Sequence, residues 1–116
     1  MEREFERFPL TTEFRYRRLD DETGYLRTGT VKADVGEGGL FLPTTTVFPE
    51  GTSVEVIFRI PTRTIPLQAV GCVAWSGTRD KGTGMGIEFR GLDVAARLEI
   101  HRFSARGDWG RETAIR

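Results

Sequence analysis

The sequence predicts an all-β domain of six short strands, arranged as a barrel or a sandwich, followed by one short helix. Three observations lead to this prediction. Apolar and polar residues alternate with a period of two along much of the chain. Residues that favour turns separate these stretches at short intervals, and helical periodicity is confined to residues 93–103. The length of 116 residues suits a single domain with one hydrophobic core.

The first two strands are predicted to form a hairpin. Residues 12–19 (TEFRYRRL) place Phe14 and Tyr16 in alternation with arginines, which is typical of a strand with one buried face. The turn-forming segment DETG follows at 21–24, and residues 25–33 return as the second strand.

The other four strands are predicted from short apolar stretches that lie between turns. They are residues 39–42, 53–60, 67–75 and 85–89. The segment GTRDKGTG at 77–84 is predicted to be a loop, because it is polar and rich in glycine. Trp75 ends the longest apolar strand, so we assign its side chain to the core, with base stacking as the alternative.

The predicted helix begins at Asp93, whose side chain can cap the first turn. Ala96, Ile100 and Phe103 then share one face, so we expect the helix to cover part of the sheet. His101 lies among charged residues of this helix and is predicted to be at the surface.

Composition excludes several classes of protein. The formal net charge is zero, which argues against a binder of long DNA or RNA. Cys72 is the only cysteine and His101 the only histidine, so we expect neither a disulfide framework nor a structural zinc site. The sequence shows neither a secretory signal nor a membrane-spanning stretch, so we expect a cytoplasmic protein. No arrangement of catalytic residues stands out, so we do not predict an enzyme.

Two motifs stand out from this background. The segment ADVGEGGLFL (33–42) ends one strand, passes through three glycines and enters the apolar stretch Leu-Phe-Leu. Glycine allows backbone angles and close approaches that other residues do not, so a tight connection between two strands explains the pattern. The second motif is RxxxR, formed by Arg3 and Arg7. The same spacing recurs at 59/63 and 102/106, so it is informative only through its position ahead of the first strand.

In this order, the two motifs resemble the PilZ domain family. Its signature is RxxxR, followed after one hairpin by DxSxxG and an apolar strand; here the second motif is the variant DxGxxG, from Asp34 to Gly39. The resemblance continues through LFLP, PEGTSVEV, VGCVAW and GMGIEF and spans nearly the whole chain. It implies a six-stranded antiparallel β-barrel with a C-terminal helix. We therefore expect a PilZ-like domain over residues 1–104, with a flexible arm at 1–8 and a mobile polar tail at 105–116.

The resemblance also implies a function, which is to bind the bacterial messenger cyclic di-GMP and to pass the signal to a protein partner through a change of shape. The implied ligand-binding residues are Arg3, Arg7, Asp34, Gly36 and Gly39. Arginine can neutralise a phosphate and pair with guanine, and a carboxylate can accept hydrogen bonds from guanine N–H groups. No metal ion or other cofactor is expected.

Two departures from the family pattern leave alternatives open. Gly36 occupies the position of the motif serine, so one hydroxyl is lost, and Glu2 occupies the position where relatives that bind two stacked messenger molecules often have arginine. One bound molecule is therefore as plausible as two. The main alternative is a PilZ-like interaction module of pilus or motility machinery that has lost the ligand. A binder of single-stranded nucleic acid would need a basic, aromatic face, against which the neutral net charge argues.

Overall fold

The computed structural model describes residues 7–20, 24–61, 65–80 and 82–106, with the side chains of 105 and 106 excepted. It contains six strands followed by one helix. These are β1 (Arg7–Arg18), β2 (Leu26–Gly36), β3 (Gly39–Pro43), β4 (Ser53–Phe58), β5 (Leu67–Arg79), β6 (Gly82–Gly91) and α1 (Val94–Arg106).

The strands form a closed barrel in the order β1-β2-β3-β6-β5-β4, and all neighbouring strands are antiparallel. The prediction of a six-stranded antiparallel barrel with a short C-terminal helix is therefore confirmed. Closure leaves no unpaired sheet edge among the described strands, because β1 pairs with β4 as well as with β2.

The core lies inside the barrel and follows the period-two pattern of the sequence. On β1, Phe8, Leu10, Phe14 and Tyr16 are all buried, while the alternate residues Pro9, Thr11, Glu13 and Arg15 face outward. The other strands contribute mainly aliphatic side chains, and Phe58 packs on Phe14 with ring centroids 5.2 Å apart. None of the described residues forms a helix that is both long and apolar enough to cross a bilayer.

Helix α1 closes one part of this core with the face predicted from the sequence. Ala96, Ile100 and Phe103 are buried in the same cluster as the barrel residues. Asp93 caps the helix, because its Oδ1 atom accepts a hydrogen bond of 2.7 Å from the backbone N–H of Ala96. The helix runs on to Arg106, past the predicted end of the domain at 104, and residues 107–116 of the predicted tail lie outside the described residues.

Several predicted boundaries differ from the structure, most of all those around residues 77–84 and at the start of β1. The segment 77–84 is not a loop, because β5 and β6 stay paired as far as Arg79 and Gly82. A hydrogen bond of 2.8 Å joins the hydroxyls of Thr78 and Thr83, and Gly82 takes a positive φ that favours glycine. In addition, β1 begins at Arg7, so the last two residues of the predicted arm lie in the barrel, whereas residues 1–6 lie outside the described part of the chain.

Candidate functional site

The DxGxxG motif forms a two-residue connection between β2 and β3. Gly36 ends β2, Gly39 begins β3, and only Glu37 and Gly38 lie between them. The Gly38 carbonyl accepts a hydrogen bond of 2.9 Å from the backbone N–H of Phe89 on β6, which fixes the connection to the barrel. The motif is therefore a tight turn held by a third strand.

Gly39 is required at its position by close packing. A β-carbon there would overlap the carbonyl oxygen of Ile87 on the neighbouring strand β6. Gly36, by contrast, is not one of the glycines with positive φ among the described residues, which are Gly29, Gly51, Gly77 and Gly82. The glycine at the serine position of the motif is thus not needed for its backbone angles.

Strand pairing brings the two sequence motifs together. Arg7 lies directly opposite Gly36 across the β1–β2 ladder, and Pro9 lies opposite Asp34. Arg7, Asp34, Gly36 and Gly39 are therefore gathered at one end of the β1–β2–β3 sheet. Arg3, the fifth predicted ligand-binding residue, lies outside the described residues.

A surface cleft of about 440 Å³ opens beside these residues. It is lined by Pro9, Lys32, Asp34 and Phe41, and the Oδ2 atom of Asp34 is buried. Pro9, Asp34 and Phe41 are successive partners across β1, β2 and β3, so their side chains share the outer face of the barrel. The cleft thus places an acidic, a basic and an aromatic side chain next to the motif arginine Arg7.

Lys32 and Phe41 are cleft residues that sequence reasoning missed. The sequence could have identified Lys32. Residues two apart on a strand face the same side, and Lys32 precedes Asp34 by two. Phe41 is hidden in the sequence as the middle residue of an apolar stretch, Leu-Phe-Leu. Leu40 and Leu42 do point into the core, but Phe41 points outward into the cleft.

An aromatic layer continues from the cleft across the outside of the barrel. The Phe41 and Trp75 rings are stacked with centroids 5.5 Å apart and an interplanar angle of 13°. They lie over Gly84 and Gly86, where a β-carbon would overlap the rings. Above Trp75, the Arg79 guanidinium carbon is 3.9 Å from the ring centroid, within cation–π distance.

The assignment of Trp75 to the core was therefore wrong. A bulge between Val73 and Trp75 shifts the register of β5 by one residue against β6. Val73 pairs with the inward-facing Ile87, whereas Trp75 pairs with Gly86 and faces outward. The bulge reverses the face on which Trp75 would otherwise lie.

Helix α1 contacts the candidate site at two points. His101 Nδ1 lies 2.7 Å from Glu37 Oε2, and because a carboxylate can only accept, the imidazole N–H donates this hydrogen bond. The ring of Phe103 packs edge-on against Phe8, the residue after Arg7, with centroids 4.8 Å apart. The prediction that His101 lies at the surface is confirmed, but its partner Glu37 belongs to the DxGxxG motif.

Two acidic residues beside the turn, Glu37 and Glu88, have basic partners. Glu88, which lies opposite Gly39, forms an ion pair of 3.0 Å with Arg90, and Glu37 is bound by His101. These contacts reduce the repulsion that an anionic ligand would meet, and solvent screens the remainder. Within the ranges described by the structure, no three His, Cys, Asp or Glu side chains are grouped to hold a metal ion.

One known domain family matches this chain. The PilZ domain profile matches residues 2–106, nearly the whole chain. The chain belongs to the PilZ domain family.

This PilZ domain is also similar to a solved structure of the Bacillus subtilis inhibitor of motility, MotI/DgrA. The two chains are 16% identical and superpose with a TM-score of 0.72. The match covers 95% of this chain and 53% of MotI/DgrA, so this PilZ domain spans about half the length of that protein. At this identity the similarity shows the shared fold. No curated protein matches the sequence.

Proposed function

We propose that this PilZ domain is a non-enzymatic receptor for cyclic di-GMP that passes the signal to a protein partner in the cytoplasm. The observation that carries the proposal is the pairing of Arg7 with Gly36, which joins the arginine motif and the glycine turn on one surface. Asp34 lies on the same surface, beside a cleft large enough to hold part of a nucleotide. The family membership supplies the ligand class.

Each residue of the site has a chemical task in this proposal. Arg7 binds a phosphate or the O6 and N7 atoms of guanine, because its planar guanidinium donates two parallel hydrogen bonds. The Asp34 carboxylate accepts from guanine N–H groups. Gly39 is assigned to the ligand by the family motif, and its close packing on β6 keeps the turn in place. Arg3 is assigned to the ligand by the family motif alone.

Calorimetric titration of the purified protein with cyclic di-GMP tests the proposal. We expect a saturable heat, and the fitted ratio of ligand to protein decides between one bound molecule and a stacked pair. GMP serves as the control ligand, because it carries the same base and a phosphate but lacks the second half of the messenger. Equal affinity for GMP and cyclic di-GMP would contradict a receptor for the dinucleotide.

The second candidate is a PilZ-like interaction module that does not bind the messenger. The observation that favours it is Gly36, which removes the hydroxyl of the motif serine. Such a module would bind a component of pilus or motility machinery constitutively. Absence of any titration heat with cyclic di-GMP would favour this candidate.

A Gly36→Ser substitution is expected to tighten binding of cyclic di-GMP roughly two- to tenfold. One restored hydrogen bond contributes about 0.5–1.5 kcal/mol to binding. Because Gly36 is not among the glycines at positive φ, serine introduces no backbone strain of that kind. Titration and thermal melting of both proteins check this.

The matched control for this prediction is Gly24→Ser. Gly24 faces open space, where an added β-carbon would meet nothing within 4 Å, so serine there is expected to change neither affinity nor melting temperature. Weaker binding by Gly36→Ser at unchanged stability would show that the turn does not hold a position for the missing hydroxyl.

Helix α1 is proposed to be the element that transmits binding to the partner. Its contacts reach both halves of the site, because His101 binds Glu37 of the turn and Phe103 packs on Phe8 beside Arg7. A ligand that orders Arg7 and the turn would therefore also act on the two segments that hold the helix.

Amide hydrogen exchange measures this coupling. Binding of cyclic di-GMP is expected to slow exchange both in the turn and in α1. The ligand stabilises the contacts that hold the helix, and these contacts must break before the helix opens locally. In a His101→Ala variant the protection of the turn is expected to persist and that of α1 to shrink. Arg97→Ala is the control, since Arg97 is exposed on the same helix. Unchanged exchange in α1 of the parent protein would rule out the helix as the transmitting element.

A further inference from the structure

We propose that the cleft between Lys32 and Phe41 is a second subsite of the messenger surface, which binds an anionic phosphate oxygen through the Lys32 ammonium group. This inference rests on the proposed function and extends it to residues outside the two PilZ motifs. The cleft takes a phosphorylated heterocycle: Lys32 holds the charge, Asp34 accepts from the base, and Pro9 and Phe41 form the apolar wall.

Lys32 lies on the outer face of β2, beside Asp34. It precedes Asp34 by two residues on β2, so both side chains face outward on the same side, about 7 Å apart along the strand. Lys32 lies opposite Thr11 of β1, a neutral residue that offers no counter-charge. The ammonium group therefore faces the cleft without an acidic residue directly across the strand pair.

Lys32 takes part in none of the ion pairs found among the described residues. These pairs join Arg17 to Glu55, Arg18 to Asp20, Arg90 to Glu88 and Arg102 to Glu99, while His101 is hydrogen-bonded to Glu37. Lys32 is exposed and lines the cleft. A cation in this position attracts an anion that enters the cleft. The distance between Lys32 and Asp34 leaves room for a phosphate at Lys32 and a base at Asp34.

Phe41 and Pro9 form the apolar wall of the cleft. Phe41 is 5% exposed, and its ring is held in place by stacking on Trp75. Pro9 completes the wall on the β1 side and has a rigid ring of its own. Because only 5% of Phe41 is exposed, its ring forms a rigid apolar backing of the cleft, and the acceptor and the cation beside it fit a base with a phosphate attached.

Titration of four proteins with cyclic di-GMP tests the subsite: the parent, Lys32→Gln, Lys32→Arg and Arg27→Gln. Lys32→Gln is expected to weaken binding about three- to thirtyfold. This loss is smaller than the loss on removing one partner of a buried charge pair, because Lys32 is exposed to solvent. Lys32→Arg keeps the charge and is expected to recover most of the affinity. Arg27→Gln removes the same charge from the same strand, about 17 Å away, and is expected to leave affinity within about twofold of the parent.

The outcomes separate this inference from the proposed function. Binding by the parent with equal affinity in Lys32→Gln overturns the subsite and leaves the proposed receptor function intact. Equal weakening by Lys32→Gln and Arg27→Gln also overturns it, because the effect would then come from overall charge. No binding by the parent overturns the receptor function and the subsite together.

Discussion

Replacing Arg7 with alanine is expected to weaken binding of cyclic di-GMP by about ten- to more than a hundredfold. A hydrogen bond to a charged group contributes roughly 1.5–3 kcal/mol, and Arg7 is the motif arginine that strand pairing places against the glycine turn. Because alanine keeps the backbone N–H and C=O that pair with Gly36, the melting temperature is expected to change little. Calorimetry and thermal melting of the same preparations measure both effects.

Arg59→Ala is the matched control for this substitution. Arg59 belongs to an RxxxR spacing that has no motif context, and it lies exposed just after β4, away from the turn. Its removal is expected to leave affinity within about twofold of the parent. If Arg7→Ala bound as tightly as Arg59→Ala, the placement of the ligand beside Gly36 would be wrong.

The second large effect is expected from Gly39→Ala, which should destabilise the barrel by about 1–3 kcal/mol. The added methyl group would overlap the carbonyl oxygen of Ile87, a backbone atom that cannot move without shifting the β3–β6 ladder. The melting temperature is expected to fall by several degrees, since about 1 kcal/mol corresponds to roughly 4 °C or more in a domain of this size. Affinity for the messenger is expected to fall as well, because the turn that carries the site is displaced.

Gly24→Ala controls for the general effect of replacing glycine. A β-carbon at Gly24 meets nothing within 4 Å, so the melting temperature is expected to stay within about one degree of the parent. A Gly39→Ala protein as stable as Gly24→Ala would show that β3 and β6 are less closely packed at this point than the structure indicates.

Much of the fold could be predicted because its core obeys one simple rule. Phe14 and Tyr16 alternate with arginines on β1, and the buried face of α1 repeats at helical spacing through Ala96, Ile100 and Phe103. Both patterns arise because one side of each element must leave water. The cap at Asp93 was predictable for a similarly local reason, since its carboxylate meets a free N–H three residues later.

The errors occurred where backbone geometry breaks that rule. Trp75 was assigned to the core because period-two counting continues through the bulge after Val73, whereas the bulge turns the ring outward. The segment 77–84 resembles a loop in composition, but two threonine side chains pair across it. Neither a bulge nor a hydroxyl pair leaves a periodic trace in the sequence.

The site could be predicted in part for a comparable reason. Asp34 and Gly39 belong to one continuous motif, so spacing alone identifies them. The pairing of Arg7 with Gly36 depends on the register of a whole hairpin, which is altered by an irregularity between Glu13 and Arg15. Register of this kind is set by cross-strand contacts, and so the cleft with Lys32 and Phe41 became visible only in the structure.

The central claim, that cyclic di-GMP binds on the surface formed by Arg7, Asp34 and the glycine turn, is tested most directly by an NMR titration of isotope-labelled protein. We expect the largest changes in amide chemical shift at residues 34–39 and at Arg7 and Lys32, with smaller changes in α1. Amides at the opposite end of β1 and β2, around Arg15 and Arg27, are expected to stay in place. Absence of shift changes, or changes concentrated at that opposite end, would contradict the account.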